Sequence, residues 1–178
     1  MKLLGAVLAG GRSSRFGSDK ALALLDGKPL IEHAVDALAA QTGAVMVSGR
    51  AWKDLPWAPD RPEPHLGPLG GINAALHFAI EHGFDAVLTL SCDSLAVPTD
   101  LATRLTQAGD TAFVEQLPVA GLWPARLAPQ LDRFLQESEN RSVRAWARAA
   151  GAKAVSLDAP IANVNTLADL DYFRKLPD

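Results

Sequence analysis

Cysteine is almost missing from this chain: Cys92 is the single one among 178 residues. That excludes an internal disulfide framework and any cysteine-based zinc site. Long apolar runs are missing as well, and no stretch reaches the roughly 20 residues a membrane-spanning helix needs. The first apolar run follows Lys2 and ends in Gly-Gly-Arg rather than at a cleavage site, so it reads as a core strand and not as a leader. A basic excess is absent too. The net charge of −3 argues against nucleic acid as a partner, although it says little about a small anion, for which local charge decides. There is no internal repeat and no low-complexity tract. The expectation is a cytoplasmic enzyme acting on small molecules, with no nucleic-acid or membrane partner, and 178 residues suit one domain spanning 1–178.

What is present is an alternation of apolar runs with helical periodicity. Strands are expected at Leu3 to Ala9, Ala44 to Val47, Ala86 to Leu90, Ala112 to Leu117 and Ala154 to Leu157, with Val119 to Leu122 as a partner for the fourth. Helices are expected over Leu30 to Ala40, Leu69 to Ile80, Thr99 to Ala108, Leu127 to Leu135, Val143 to Ala149 and Leu167 to Leu176. The implied fold class is α/β, a three-layer sandwich around a mainly parallel, Rossmann-like sheet. Ala51 to Leu66, rich in proline and tryptophan, is too long for a plain connector and reads as a binding loop or lid.

Ligands of open α/β sheets bind beyond the carboxyl ends of the strands. Gly10, Ser48-Gly49 and Cys92-Asp93 each fall just past a predicted strand, which points to one shared site. The first of these opens the most informative segment, Leu8-Ala9-Gly10-Gly11-Arg12-Ser13-Ser14-Arg15-Phe16-Gly17-Ser18-Asp19-Lys20. Two adjacent glycines allow close approach of backbone to ligand, and successive N–H groups can form an anion nest. Arg12, Arg15 and Lys20 add positive charge, so the loop reads as a nucleotide-triphosphate loop. It is neither a P-loop, having no Gly-Lys-Ser/Thr, nor a G-x-G-x-x-G dinucleotide fingerprint.

Asp93 stands just past a buried strand. It could be a magnesium carboxylate or simply a turn or helix-capping residue. Cys92 has no adjacent base and reads as a small packing residue. His33, His77 and His82 lie on helical patterns as surface or interhelical residues, and His65 has no metal-ligand partner. Asp60 could bind a nucleotide or sit solvated beside Arg61. Asn163 and Asn165 alternate, which can set both on one face of an extended segment. Thr166 suits a helix N-cap, with Asp169 completing a capping box.

The pattern L-A-G-G-x-S-x-R-x-G-x-D-K, followed by Leu25-Asp26-Gly27-Lys28-Pro29-Leu30-Ile31, resembles the signature of the molybdopterin nucleotidyltransferase family. Within that family it is most similar to the molybdenum cofactor guanylyltransferases, whose fold is of the nucleotide-diphospho-sugar transferase type. Three further stretches resemble family motifs: Gly67-Pro68-Leu69-Gly70-Gly71-Ile72, Asn140-Arg141-Ser142-Val143 and Asn163-Val164-Asn165-Thr166. Phe16 replaces the usual methionine, Ser48 stands where asparagine is common, and Pro98 lies further from Asp93 than the family proline.

The resemblance implies transfer of GMP from GTP to molybdenum–molybdopterin, with release of pyrophosphate. It makes Arg15, Lys20 and Asp93 the catalytic residues, with Asp93 the ligand of Mg²⁺, or of Mn²⁺ in its place. Leu8, Ala9, Gly10, Gly11, Arg12, Lys20, Ser48, Asp60, Gly67 and Asp93 would bind GTP. Arg141, Asn163 and Asn165 would meet the molybdopterin. The nucleotide part would occupy about 1–100 and the acceptor part about 101–178. A molybdoenzyme or a cofactor chaperone is the implied protein partner. Gly10 in place of alanine, together with the G-P-L-x-G stretch, favours guanine over cytosine. The alternatives are a molybdopterin cytidylyltransferase or another small-molecule nucleotidyltransferase and, from a different class, a non-catalytic adaptor that delivers the cofactor.

Overall fold

The structure is a computed structural model and describes residues 1–11 and 19–175. Strands are β1 Leu3–Leu8, β2 Leu24–Leu25, β3 Lys28–Pro29, β4 Ala44–Ser48, β5 Trp57–Ala58, β6 Ala86–Ser91, β7 Ser94–Leu95, β8 Ala112–Val114, β9 Gly121–Pro124, β10 Lys153–Val155 and β11 Ala162–Asn163. Helices are α1 Leu30–Ala39, α2 Pro68–Glu81, α3 Leu101–Ala108, α4 Ala128–Glu137, α5 Val143–Ala149 and α6 Leu167–Phe173. Seven strands form the central sheet in the order β10-β8-β9-β6-β1-β4-β5. Every pairing in it is parallel except those of β9, which runs antiparallel between β6 and β8.

The alternation of side chains along a strand explains the three layers. In β1, Leu4, Ala6 and Leu8 enter one core with Leu69, Ile72 and Leu76 of α2, together with residues of α4 and α5. Val7 enters the opposite core with Ile31, Ala34 and Leu38 of α1 and with Leu101 and Leu105 of α3. β4 divides in the same way, Met46 to the first face and Val45 and Val47 to the second. Buried on both faces, β1 reads as a continuous apolar run, as central parallel strands do.

Several boundaries differ from the expectation. The fourth strand ends at Val114, and its partner is Gly121–Pro124 rather than Val119 to Leu122. Leu117 N–H donates to the Val114 carbonyl at 3.1 Å, so a tight turn takes the residues the apolar pattern offered to a strand. Ala51 to Leu66 is not wholly irregular, because β5 adds to the sheet edge parallel to β4. Two residues beside Pro56 and Pro59 carry too little pattern to mark a strand. The β2–β3 hairpin was also missed, although its Asp26-Gly27 turn, with φ of 52° and 74°, is the type a two-residue hairpin loop requires. Thr166 caps α6 and closes a capping box with Asp169, as expected. His77 is interhelical, its Nε2 lying 2.9 Å from Asp132 on α4.

β4 lies on one side of β1 and β6 on the other. The chain therefore leaves β1 in one direction and returns across it, and the crevice this opens lies past the carboxyl ends of β1, β4 and β6.

Candidate active site

The three strand ends are held together by backbone hydrogen bonds. Ala9 N–H donates to the Ser48 carbonyl at 2.9 Å, and Cys92 N–H donates to the Leu8 carbonyl at 3.1 Å. Leu8 and Ala9 are buried, and Gly11 is exposed, with no atom of the described residues within 4 Å of where a Cβ would stand. Arg12 and Arg15 lie outside the described residues.

On the β4 side the site is a close packing of small residues against one carboxylate. A Cβ on Gly10 would lie 2.6 Å from Asp60 Oδ2, and one on Gly71 would lie 2.7 Å from Ser48 Oγ. Gly67 begins α2 with φ of 66°, ahead of Pro68 at the first helical position. Any larger residue would run into the Asp60 carboxylate at Gly10 and into the Ser48 hydroxyl at Gly71. Asp60 Oδ1 and Ser48 Oγ are buried and have no hydrogen-bond partner among the described residues. Burial pushes the Asp60 carboxyl above its ordinary range, and the positive charge of His65 pulls it part of the way back. A buried acceptor without a donor is costly to keep, so such groups mark places a ligand completes.

On the β6 side the site is charged. Asp93 is 5% exposed and forms an ion pair with Lys20. Lys20 Nζ also donates to Asn165 Oδ1 at 3.3 Å. The Asn163 amide is assigned with its nitrogen toward the carboxylate, where it donates to Asp93 Oδ1 at 2.6 Å and Oδ2 at 3.1 Å. These contacts follow from the pairing of β11 with β7, which sets Asn163 opposite Ser94. Ser91 Oγ lies 2.9 Å from Ser94 Oγ. The nearby groups that could ligate a cation with Asp93, the Ser91 and Ser94 hydroxyls and the Asn163 amide oxygen, offer hard oxygens. Burial, with Asp93's charge adding to it, pushes the neighbouring Cys92 thiol up to about 12. That oxygen set suits a small divalent cation such as Mg²⁺ rather than zinc.

The structure thus brings Leu8, Ala9, Gly10, Gly11, Lys20, Ser48, Asp60, Gly67, Asp93, Asn163 and Asn165 to the carboxyl end of the sheet. Arg141 makes no such contact: it is exposed in the segment before α5, and no hydrogen bond or ion pair joins it to the site among the described residues. Sequence reasoning gave no role to Arg50, whose Nη1 lies 2.9 Å from Asp19 Oδ1 and 2.7 Å from Oδ2. Its only sequence signal was a charge two residues beyond Ser48.

Residues 5–154 match the model of the MobA-like NTP transferase domain. The molybdenum cofactor guanylyltransferase of Rhodobacter capsulatus is 38% identical over 96% of this chain and 94% of its own. The molybdopterin-guanine dinucleotide biosynthesis protein A of Archaeoglobus fulgidus superposes with a TM-score of 0.75 at 20% identity, covering 97% of each chain. A Mycobacterium tuberculosis protein in complex with manganese superposes with a TM-score of 0.68 at 14% identity, covering 98% of this chain and 99% of its own.

Proposed function

Because this chain belongs to the MobA-like NTP transferase family, we propose that it transfers GMP from GTP to molybdenum–molybdopterin, releasing pyrophosphate and forming the guanine dinucleotide cofactor. One observation carries the site assignment: Asp60, Lys20, Asp93 and Asn163 come from four separate stretches and converge past β1, β4 and β6.

Asp60, ionised, accepts hydrogen bonds from guanine N1–H and N2–H₂, and Ser48 supplies a second polar contact. Gly10 and Gly11 let the backbone approach the nucleotide, and Lys20 neutralises its phosphates. On its sequence position Arg15 meets the β- and γ-phosphates, and Arg12 lines the same loop. Asp93 would hold Mg²⁺, or Mn²⁺ in its place, and the metal supplies charge neutralisation on the α-phosphate and the departing pyrophosphate. Asn163 fits the same assignment, since an amide turns its nitrogen to a bare carboxylate and its oxygen to a cation.

The reaction is an in-line displacement. A terminal phosphate oxygen of molybdopterin forms a bond to the α-phosphorus as the α–β bridging bond breaks, and the electron pair leaves on pyrophosphate. A phosphate monoester is already nucleophilic, so the protein's part is positioning and electrostatics, with no covalent enzyme intermediate. Residues of about 1–100 bind the nucleotide. The acceptor is met by about 101–178, through Arg141, Asn163 and Asn165. Among the described residues no helix is long and apolar enough to cross a membrane. We place the reaction in the cytoplasm, with the product passing to a molybdoenzyme or cofactor chaperone.

The test is the fate of the α-phosphorus. With α-labelled GTP, Mg²⁺ and molybdopterin, label is expected in a dinucleotide product. Label that stays in GTP while GTP binds would support a delivery adaptor instead.

A further inference from the structure

We propose that Arg50 is a positioning residue for the phosphate end of this site, acting through Asp19 on Lys20. The proposal rests on the nucleotidyl-transfer reading and names a residue that reading does not use.

The turn after β4 touches the described chain on both sides of residues 12–18. On one side Gly49 lies against Gly10. Its φ of 89° is a conformation that side chains avoid, and a Cβ there would run into the Gly10 backbone. On the other side Arg50 holds both carboxylate oxygens of Asp19. The turn is itself fixed from the sheet edge, where Gly49 N–H donates to the Ala58 carbonyl at 2.8 Å. One short segment therefore touches both Gly10, just past β1, and Asp19, just before the Lys20–Leu22 turn.

The returning end leads directly to the charged cluster. Asp19 Oδ1 accepts from Ala21 N–H at 3.2 Å and so caps the 3-10 turn Lys20–Leu22. Lys20, the first residue of that turn, reaches Asp93 and Asn165. A chain of contacts thus runs from the end of β4 to the end of β6: Arg50, Asp19, Lys20, Asp93. A partly exposed ion pair contributes little to stability. Its value here is geometric: Arg50 Nη1 sits between the two Asp19 carboxylate oxygens and so limits where that carboxylate can lie. Arg50 Nε is buried and has no partner among the described residues, although the side chain as a whole is partly exposed.

Binding and steady-state kinetics of Arg50→Met, Arg50→Lys, Asp19→Asn and the double variant Asp19→Asn/Arg50→Met decide the matter, with Mg·GTP and magnesium tripolyphosphate as probes. Arg50→Met is expected to weaken both probes roughly tenfold, the scale of a lost charge-assisted contact. KM for GTP should rise, with kcat changed less than threefold or so, and preference for GTP over CTP unchanged. Arg50→Lys should recover part of the loss. The double variant should be no worse than the weaker single one, because both cut the same link. Unchanged affinity in Arg50→Met overturns the proposal. So do additive losses, which would mean that Arg50 meets the nucleotide directly. Should Arg50→Met fail to fold, Arg50→Lys and Asp19→Asn carry the comparison. Wild-type protein that binds tripolyphosphate but not GTP would defeat the guanine assignment, while the Arg50 comparison would still read out on tripolyphosphate.

Discussion

The two ends of the central sheet treat polar groups in opposite ways. At the amino end they are matched. Lys2 N–H donates to Asp85 Oδ2 at 2.6 Å, and Asp85 N–H returns a bond to the Lys2 carbonyl at 2.9 Å. Gly43 N–H donates to the Leu3 carbonyl at 3.1 Å, and Ala125 N–H to the Asp85 carbonyl at 2.9 Å. At the carboxyl end Ser48 Oγ, Arg50 Nε and Asp60 Oδ1 are buried with no partner among the described residues, and Asp93 is buried against Lys20. The same strands supply both ends, so the difference does not come from the fold class. One end closes the structure, while the other leaves buried groups that a ligand's atoms can complete.

Substitutions at the two ends should therefore separate function from stability. The largest effect is expected from Asp93→Asn, which weakens the carboxylate that would hold the metal. Pyrophosphate release should fall about 10²–10³-fold, with thermal unfolding little changed. Gly49→Ala comes next. It forces a side chain into positive φ and into the Gly10 backbone, and chemical denaturation should show a loss of about 2–3 kcal/mol together with weaker GTP binding. This is the one change at the carboxyl end expected to damage both properties.

Asp60→Asn is expected to weaken GTP roughly tenfold by removing charged hydrogen bonds, and to reduce the preference for GTP over ATP in competition binding. It should also leave the fold more stable at neutral pH. A carboxyl whose folded pKa is raised above 3.8 favours the fold below that value, and the favour is lost as pH rises through the folded pKa. GTP affinity should move the other way, rising with pH across the same window as Asp60 ionises. Titration of both quantities in wild-type and Asp60→Asn protein checks the sign, since the variant should lack both dependences. The smallest effect is expected at the amino end. Asp85→Ala should cost about 1 kcal/mol, a few degrees of melting temperature, with KM for GTP unchanged. A change in KM there would break the contrast between the ends.

Much of this was legible in sequence where a single stretch carried the signal. The run before Gly10 announced a buried parallel strand. Gly49, Gly10 and Asp93, each just beyond such a strand, announced the crevice. What was not legible depended on pairing between distant stretches. Asn163 was expected on the acceptor side, but nothing in Asn163-Val164-Asn165 says that β11 will pair with β7 and carry its amide to Asp93. Arg50 was invisible for the same reason, since its partner, Asp19, is 31 residues earlier. The antiparallel β9 was misplaced because its four residues follow a turn built from equally apolar ones.

The most direct test is pyrophosphate release from Mg²⁺ complexes of GTP, CTP, ATP and UTP, each with and without molybdopterin. Release with GTP and molybdopterin together, and with neither alone, is the expected result. Release with CTP in preference to GTP would contradict the assignment of guanine to Asp60, and no release with any nucleotide would contradict nucleotidyl transfer to molybdopterin.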